Sequence, residues 1–343
     1  MRVALVNPPW ISGTTPCGAA HLPLELGYAR ALLGRDGHEP RVIDAHLHGI
    51  GIDAIRALVG AYAPDLTVVL TAPSSLVATC GADGLDLPLR TIEAVREVAG
   101  AIVVAGPHGT ASPRAVLRAL GADAVVLGEC EEPIARLAST PRSRWGGVPA
   151  VALAEGDGAR VTGPPHRSRL AELPALRWTR SDLLAHAHQH QRFDALPRGS
   201  GAEMETSRGF RRRPLEVVLE ELDALLALGV EYVYFADGTF PPDRELLDAL
   251  SRRPIRFGVR THIDLWTSGM AERLGRSGCV SLEATVRPFR PTEELTELLL
   301  EVRQHVPFVR ATVRGGATGD DWHRRLRANG VWAEAAEPAE VQP

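Results

Sequence analysis

The histidines at positions 186–190 are the clearest candidate metal ligands in the sequence. His186, His188 and His190 alternate as H-x-H-x-H. On a strand all three side chains would share one face, whereas on a helix only His186 and His190 would do so. Because histidine is the commonest metal ligand in proteins, the pattern predicts a zinc, iron or cobalt site. A solvated polar segment is the alternative interpretation.

A second set of candidate ligand-binding residues follows short apolar runs in the first part of the chain. Small residues and glycine in such loops let a large ligand approach the backbone, and hydroxyl and backbone N–H groups suit a phosphate-bearing group. Ordinary turn chemistry is the competing explanation. We predict a binding site for a large, flat or phosphate-bearing ligand. Its candidate residues are Asn7, Pro8, Pro9, Asp44, Ser74, Ser75, Leu76, Gly106, Pro107, His108 and Glu129.

The apolar runs predict the strands that would position these residues. They are short and hardly alternate, as expected for parallel strands buried on both faces. Helical patterns lie between them, so residues 1–138 predict a doubly wound, Rossmann-like α/β domain. Ligands of such a domain bind beyond the carboxyl ends of the strands, where the candidate residues lie. The predicted strands are Arg2–Asn7, Pro40–Ala45, Asp65–Leu70, Ala101–Gly106 and Asp123–Gly128.

The rest of the chain divides into a connector, a second set of βα units and a tail. Residues 139–201 form the predicted connector, in which two strand-like runs flank Gly156 and Gly158 ahead of the histidine segment. In residues 202–333 strands alternate with helices again, and about five βα units predict a partial βα barrel. Residues 334–343 are polar and rich in alanine and proline, which predicts a disordered tail.

The first of these βα units contains the loop in which the chemistry of a βα barrel would lie. A strand over Ala202–Thr206 leads into a polar turn that ends at Gly209, and Pro214 opens a helix. Polar residues at the ends of the later strands are further candidates for the site. These residues are Asp237, Arg260 and Glu283.

Composition excludes several classes of function. The 343 residues are 45% apolar and carry a net charge of -4, which is typical of a globular protein long enough for two domains. No basic stripe indicates a nucleic-acid binder, and no apolar run approaches the ~20 residues that span a bilayer. We see no signal-peptide pattern and expect a cytoplasmic location. The sequence has no lysine, which excludes a Walker-type phosphate lysine and a pyridoxal Schiff base.

A series of segments occurs in a collinear order that covers nearly the whole chain. They are VNPPW, LELGYARALL, GHEPRVIDA, TAPSSL, AGPHGTASP, ADAVVLGECEEP, METSRG, RRRPLEVVLEELDALLALGVEYVYFADGTF and FGVRTHIDLWTSGMAERLGRSGCVSLEA. Together they resemble the cobalamin-binding radical S-adenosylmethionine proteins. The resemblance implies a cobalamin-binding first domain, a radical-SAM-like partial barrel and S-adenosylmethionine as a second candidate ligand. It also implies that residues 74–76 and 106–108 contact the corrin and its nucleotide tail.

The sequence departs from that family at the turn after METSRG. In the family this turn leads into a C-x3-C-x2-C loop that holds a 4Fe-4S cluster, but here Gly209 is followed directly by Phe210 and three arginines. We therefore expect no 4Fe-4S cluster and no radical chemistry from this chain. A site built from Cys17, Cys80 and Cys130 is the remaining alternative, although metal thiolates normally come in close pairs.

Two more features bear on the cofactors that the resemblance implies. Asp44, His46 and Gly49 spell D-x-H-x-x-G, the pattern of cobalamin proteins whose histidine binds cobalt, but the pattern follows the second predicted strand instead of the first. The resemblance thus implies cobalamin bound without a protein histidine, with Asp44 as a candidate contact. The segment that holds S-adenosylmethionine in the family is shortened here, so Asp237 and Glu283 are either ligand contacts or relics of that site.

Three functions are consistent with the sequence. The first is a non-radical, cobalamin-dependent transfer of a methyl or other group by a methyltransferase-like enzyme. The second is a non-catalytic cobalamin-binding partner or regulator of an intact radical S-adenosylmethionine enzyme. The third is a binder of a nucleotide-like ligand without cobalamin. The expected partners are cobalamin and either a partner enzyme or a small-molecule substrate, and we expect no nucleic acid and no membrane.

Overall fold

The computed structural model describes residues 1–10, 21–73, 84–156, 158–186, 200–241, 243–266, 269–286, 292–313 and 320–335. Contacts divide the chain into two compact units, Met1–His188 and Gln189–Pro343. Each unit is built around one sheet that is wholly or mostly parallel. Within the described ranges, no helix has both the length and the apolar character needed to cross a membrane.

The sheet of the first unit is doubly wound. Its strands are β1 (Arg2–Asn7), β2 (Glu39–Asp44), β3 (Leu66–Leu70), β4 (Ala101–Ala105), β5 (Ala124–Val126), β6 (Val151–Glu155) and β7 (Gly158–Val161). Their spatial order is β2-β1-β3-β4-β5-β6-β7, with β1 to β5 parallel and β6 and β7 antiparallel. The order 2-1-3-4-5 places a topological switch point between β1 and β3. The predicted α/β class is confirmed, and the strand-like runs of the predicted connector form β6 and β7.

Burial on both faces explains why these strands are apolar. Four consecutive residues of β1, Val3 to Val6, are fully buried, and all five residues of β3 are buried. Helices and turns join the strands and supply the covering layers. The helices described in this unit are α1 (Leu24–Arg35), α2 (Ala45–His48), α3 (Ile52–Tyr62), α4 (Asp86–Val95), α5 (Pro107–Ala111), α6 (Pro113–Leu120), α7 (Glu131–Ser139) and α8 (Arg180–Ala185).

The second unit has an open, fully parallel sheet of six strands and a small hairpin. Its strands are β8 (Gly201–Met204), β9 (Ser207–Arg208), β10 (Arg211–Arg212), β11 (Tyr232–Phe235), β12 (Arg256–His262), β13 (Cys279–Val286), β14 (Phe308–Val313) and β15 (Val331–Ala335). The sheet order is β15-β14-β13-β12-β11-β8, and β9 pairs with β10. The described helices are α9 (Leu215–Ala227), α10 (Arg244–Leu250), α11 (Met270–Arg276), α12 (Thr292–His305) and α13 (Asp320–Ala328). The alternation of strand and helix confirms the predicted partial βα architecture.

The predicted disordered tail begins inside a strand, so its start was wrong. β15 includes Glu334 and Ala335 and pairs in parallel with β14, while residues 336–343 lie outside the described ranges. Val331 and Ala333 are buried, whereas Trp332 on the other face is exposed. Alanine and glutamate have low strand propensity, so pairing with β14 decides the conformation here and not local preference.

A buried ion pair anchors α9 to the chain that precedes it. Pro214 stands immediately before the helix, and Val218, Leu222 and Leu225 form its buried side together with Glu221. Arg213 Nη2 lies 2.7 Å from Glu221 Oε2, and neither side chain is accessible to solvent. A charge in such a place needs its partner, because an unpaired buried ion is strongly destabilising.

Arg213→Met should therefore lower the free energy of unfolding by about 3–5 kcal/mol, because it leaves the Glu221 carboxylate buried without its cation. The double variant Arg213→Met/Glu221→Leu replaces both ions with apolar groups of similar size and should lose clearly less. Urea unfolding of the wild type, each single variant and the double variant measures the coupling. If the double variant loses as much stability as the two single variants together, each ion does not depend on its partner, which would contradict this prediction.

Candidate functional site

The candidate site of the first unit lies at the carboxyl ends of its parallel strands. Asn7 and Asp44 are the last residues of β1 and β2, and Thr71 and Gly106 directly follow β3 and β4. Because β1 and β3 flank the switch point, the crevice that binds ligands in doubly wound sheets opens beside Asn7. The predicted contacts Ser74, Ser75 and Leu76 lie outside the described residues.

Asn7 and Asp44 join the ends of the two strands. The amide of Asn7 donates to Asp44 Oδ1 at 2.8 Å, and the backbone N–H of Leu47 donates to the same oxygen at 2.9 Å, which caps α2. The loop that contains Pro8 and Pro9 folds back, since the indole of Trp10 donates to Asn7 Oδ1 at 2.7 Å. The side chain of Asn7 is therefore held in one orientation by a donor and an acceptor.

His46, the third residue of the D-x-H-x-x-G pattern, turns toward this loop. Its Nδ1 lies 3.0 Å from the carbonyl oxygen of Trp10. The pattern thus forms the capped start of α2 after the second strand, with Asp44 as the N-cap residue. The capped start of α2 explains the D-x-H-x-x-G pattern, and no metal is needed to explain it.

One oxygen of Asp44, Oδ2, has no hydrogen-bond partner among the described residues. The side chain is 3% exposed. Burial raises the pKa of Asp44 to about 7; hydrogen bonds from Leu47 and Asn7 oppose this shift, and the charge of Asp182 adds to it. Near neutral pH the carboxyl group thus exists in both forms, and Oδ2 can donate or accept a hydrogen bond.

A polar pocket of about 270 Å³ opens beside Asp44 along β2. Its lining includes Arg30, Arg41, His48 and Trp178. The guanidinium of Arg30 lies 5.3 Å from the centroid of the Trp178 ring, and burial lowers the pKa of Arg30. The pocket provides room for a small polar group of a ligand next to the carboxyl group.

Thr71 is a further candidate residue that the sequence analysis did not single out. It is fully buried, and its hydroxyl has no partner in the part of the chain that the structure describes. Gly106 has a φ of 132°, and a Cβ added there would lie 2.5 Å from Thr71 Oγ1. Glycine is therefore required for the ends of β3 and β4 to approach. The run of Thr71 and two serines in the same loop was the sequence signal for polar contacts.

Pro107 and His108 begin α5, which directly follows Gly106. Pro107 is exposed and His108 is half-buried. Pro107 occupies the first helical position, where its missing N–H breaks no helical hydrogen bond. Pro107 and His108 thus lie at the carboxyl end of β4, as the sequence predicted.

Glu129 holds a neighbouring segment of the chain. Its Oε2 accepts a hydrogen bond from the backbone N–H of Ser168 at 2.7 Å. Gly128 pairs with His166 in an isolated bridge at a φ of 79°, and a Cβ at Gly128 would lie 2.3 Å from the His166 carbonyl oxygen. The loop after β5 therefore binds residues 166–169, and the observed role of the Glu129 carboxylate is to clamp that segment. A cofactor contact at Glu129 stays a prediction.

The two glutamates that follow reinforce this clamp. Glu131 Oε2 accepts from the Ser168 hydroxyl at 2.8 Å, and Glu132 Oε1 accepts from the N–H of Arg169 at 2.7 Å. Glu132 also pairs with Arg136 at 2.9 Å. The sequence showed three nearby carboxylates but not their partners, because those come from a segment distant along the chain.

In the second unit, Asp237 organises the turn after β8. It is 2% exposed and accepts hydrogen bonds from the N–H groups of Thr206 and Ser207 on Oδ1, at 2.7 and 3.1 Å. The hydroxyls of the same two residues donate to Oδ2. Burial raises the pKa of Asp237 in spite of these four donors. Because both oxygens already have two donors, a ligand amine would have to displace protein groups.

The predicted loop is a tight hairpin. Arg208 pairs with Arg211, so the chain reverses within the two residues Gly209 and Phe210. Gly209 has a φ of 60°, and the Phe210 side chain at the tip is fully exposed. Below the tip, Glu205 Oε1 accepts from Arg208 Nε at 2.6 Å.

One face of the second sheet carries charged and polar side chains. The register places Tyr234 beside Glu203, and Arg260 beside Glu283. Arg260 donates to Glu283 through Nε and Nη2 at 3.2 and 3.1 Å. Burial raises the pKa of Tyr234, as do the charges of Glu283 and Glu203, against the opposing charge of Arg260. Glu283 is thus one member of an ion pair on this face.

The histidine segment is only partly described. His186 follows α8 and is buried, whereas His188 and His190 lie outside the described residues. Cys17 and Cys80 lie outside as well, so the three-thiolate alternative stays a hypothesis. Cys279 is a buried thiol in β13 that donates to the Ser281 carbonyl oxygen, and burial raises its pKa.

Asp44→Asn should change how stability depends on pH. The folded-state pKa of about 7 lies above the ordinary 3.8, so the wild type loses stability as pH rises through this range. The amide has no charge to bury, so the variant should become more stable relative to the wild type by about 2–3 kcal/mol between pH 5 and pH 8. Urea unfolding at both values measures this change, and parallel pH profiles of the two proteins would refute it.

Comparison with solved structures shows which proteins share this fold. TsrM, a radical S-adenosylmethionine methyltransferase from Kitasatospora setae solved with its tryptophan substrate and the SAM analog aza-SAM, matches with a TM-score of 0.70 at 17% identity. The match covers 96% of this chain and 71% of TsrM. TsrM with cobalamin and a 4Fe-4S cluster bound matches with a TM-score of 0.71 at 16% identity, over 97% of this chain and 74% of that one.

A second enzyme with this fold is longer. Apo OxsB, a cobalamin-dependent S-adenosylmethionine radical enzyme, matches with a TM-score of 0.68 at 15% identity, over 94% of this chain and 51% of OxsB. No protein-family model and no curated protein matches the sequence. The chain therefore has the fold of cobalamin-dependent radical S-adenosylmethionine enzymes.

Proposed function

We propose that the protein binds cobalamin in its first unit and uses it without a 4Fe-4S cluster. Similarity of fold to TsrM with cobalamin bound and to OxsB with aqua-cobalamin bound supports the cofactor. The observation that carries the proposal is a pair of buried polar atoms, Asp44 Oδ2 and Thr71 Oγ1. Neither has a hydrogen-bond partner within the described ranges, and they lie at the ends of the strands on either side of β1.

The residues at this edge fit the chemistry of a corrin. Its amide side chains both donate and accept hydrogen bonds, which suits the Thr71 hydroxyl and a carboxyl group that exists in both protonation states. Gly106 lets the end of β4 approach Thr71 closely, which brings both strand ends to the same edge as the proposed ligand. The proposed cofactor contacts are Asn7, Pro8, Pro9, Asp44, Thr71, Ser74, Ser75, Leu76, Gly106, Pro107, His108 and Glu129.

The activity we infer is a non-radical transfer of a methyl or other group. Cobalamin supplies, when bound, a cobalt centre that can carry such a group. The chain would bind the cofactor, orient the acceptor and exclude water, which are the contributions a protein makes to this chemistry. S-adenosylmethionine is the second proposed ligand, because OxsB was solved with both molecules bound. Its candidate contacts are Asp237 and Glu283.

The turn at Gly209 and Phe210 supports the part of the proposal that concerns the cluster. It joins β9 to β10 in two residues, neither of which is a cysteine. A 4Fe-4S cluster needs several thiolates, which this turn does not supply. The residues of this turn do not fit the cluster, and the proposed activity uses no step that depends on one.

Phe210 favours a second candidate function, a non-catalytic partner or regulator of an intact radical S-adenosylmethionine enzyme. A fully exposed phenylalanine at the tip of a hairpin is a typical anchor for another protein. The two functions differ in whether the purified protein alone transfers a methyl group from methylcobalamin. A binder of a nucleotide-like ligand is the third candidate, and it differs from both in having no affinity for cobalamin.

The wild type should retain about one equivalent of hydroxocobalamin after desalting, with its visible absorbance. Thr71→Val keeps the shape of the side chain and removes the hydroxyl, so it should weaken cobalamin binding roughly tenfold. The same variant should make the ligand-free protein about 1 kcal/mol more stable, because a buried hydroxyl without a partner is removed. Spectroscopic titration and urea unfolding measure the two effects.

Thr67→Val, in the strand that Thr71 follows, is the matched control. Thr67 is also fully buried, but its hydroxyl donates to the Ala99 carbonyl oxygen at 2.7 Å. This variant should lose about 1–2 kcal/mol of stability and bind cobalamin like the wild type. A colourless wild type after desalting would overturn the cobalamin proposal and leave the nucleotide-like ligand. Equal affinities of Thr71→Val and the wild type would remove Thr71 from the site.

Anaerobic reconstitution with iron and sulfide tests the proposal about the cluster. We expect less than a stoichiometric amount of bound iron and sulfide and no cluster absorbance, because the hairpin turn offers no thiolate. Iron and acid-labile sulfide are measured together with the visible spectrum. Four irons per chain with a cluster band would contradict this part of the proposal and leave cobalamin binding unaffected.

A further inference from the structure

Two buried histidines of the first unit lie side by side, although they are far apart in the sequence. His21 is 7% exposed and His186 is 3% exposed. A ring nitrogen of one lies within 4.8 Å of a ring nitrogen of the other. We propose that this histidine pair binds one divalent transition-metal ion of the zinc, nickel or cobalt class.

The two imidazoles lie near the ends of two helices. His21 stands just before α1, which begins at Leu24. His186 is the C-cap residue of α8, and its backbone N–H donates to the Asp182 carbonyl oxygen at 2.9 Å. The start of α8 is fixed by a capping box between Thr179 and Asp182. The backbone that presents the His186 ring is thus held by hydrogen bonds that do not involve the ring.

The separation of the two nitrogens suits a shared ion. Imidazole binds zinc at about 2.0–2.1 Å, so two ligands of a tetrahedral ion lie roughly 3.3 Å apart and two opposite ligands about 4.1 Å apart. The two ring nitrogens lie within 4.8 Å of each other, so only a small rotation of the rings is needed to place both at bonding distance from one ion. Water or other ligands would complete the coordination sphere.

The donor set determines the class of metal. Neutral imidazole nitrogens suit zinc, nickel, copper and cobalt better than magnesium or calcium, which prefer oxygen ligands. A bound ion would join His21, in the segment before α1, to His186 at the end of α8. It would therefore stabilise the folded first unit, because the unfolded chain does not hold the two rings together.

This site is independent of the proposed cofactor. It uses neither Asp44 nor Thr71, and the ion is not the cobalt of cobalamin. The test is accordingly made on cobalamin-free protein, so that a failure here leaves cobalamin binding untouched. A failure of cobalamin binding likewise leaves the histidine site intact.

The experiment titrates EDTA-treated, full-length protein with Co²⁺ and follows the visible absorbance of the bound ion. We expect about one high-affinity Co²⁺ per chain, displaced by Zn²⁺, and a rise in the thermal unfolding midpoint with either ion. Loss of an outer-shell partner alone costs roughly 10–100-fold in metal affinity. His21→Gln and His186→Gln should each cost at least as much, because each removes a ligand.

His305→Gln is the matched control. His305 is exposed at the end of α12 in the second unit, so its replacement should leave the affinity and the rise in midpoint unchanged. Circular dichroism checks that each variant is folded. Unchanged Co²⁺ affinity in both His21→Gln and His186→Gln would overturn the proposal, as would a wild type that binds no Co²⁺.

X-ray absorption of the zinc-loaded wild type gives a second measurement that needs no variant. At least two imidazole ligands per zinc are expected. Fewer than two would overturn the proposal even if the glutamine variants failed to fold.

Discussion

The hydrogen bond from Asn7 to Asp44 is the interaction on which the ligand side of the first unit depends. It joins the ends of β1 and β2 at 2.8 Å, next to the switch point, and the same Asp44 oxygen caps α2. The cost of this arrangement is a carboxyl group removed from water, which raises the pKa of Asp44 to about 7. Oδ1 accepts both of these hydrogen bonds, whereas Oδ2 has no partner within the described residues. The Asp44 side chain therefore both joins the two strands and supplies the proposed ligand-binding oxygen.

The second unit uses a buried carboxylate differently. Asp237 lies two residues after β11, and Thr206 and Ser207 supply donors to both of its oxygens. Glu283 on the neighbouring sheet face is likewise paired, with Arg260. In the part of the chain that the structure describes, Asp44 Oδ2 has no hydrogen-bond partner, whereas each oxygen of Asp237 accepts two hydrogen bonds. This contrast between Asp44 and Asp237 is why the proposed cobalamin site lies in the first unit.

Much of the fold could be predicted from the sequence because the central strands are buried on both faces and read as apolar runs. The predicted bounds of β1 equal the observed ones, and β2 to β5 differ by a few residues at most. β15 could not be predicted, since its alanines and glutamates become a strand only through pairing with β14. Glu129 was placed at the correct edge, but its bond to Ser168 depends on a distant segment. The proximity of His21 and His186 is likewise a product of tertiary structure that no local pattern encodes.

The hairpin turn after β8 is fixed by protein groups alone. Asp237 binds the backbone at Thr206 and Ser207, and the N–H of Arg213 donates to the Thr206 carbonyl oxygen at 2.9 Å. The Arg213 guanidinium then donates to the Glu205 carbonyl oxygen at 2.8 Å and to Glu221. A loop that wraps a metal cluster takes its shape from the metal, so its removal would normally leave backbone groups unsatisfied. Here the Asp237 carboxylate binds one side of the hairpin turn, and the buried ion pair of Arg213 and Glu221 holds the other side. The groups that close this turn belong to the protein itself, as the proposed use of cobalamin without a cluster requires.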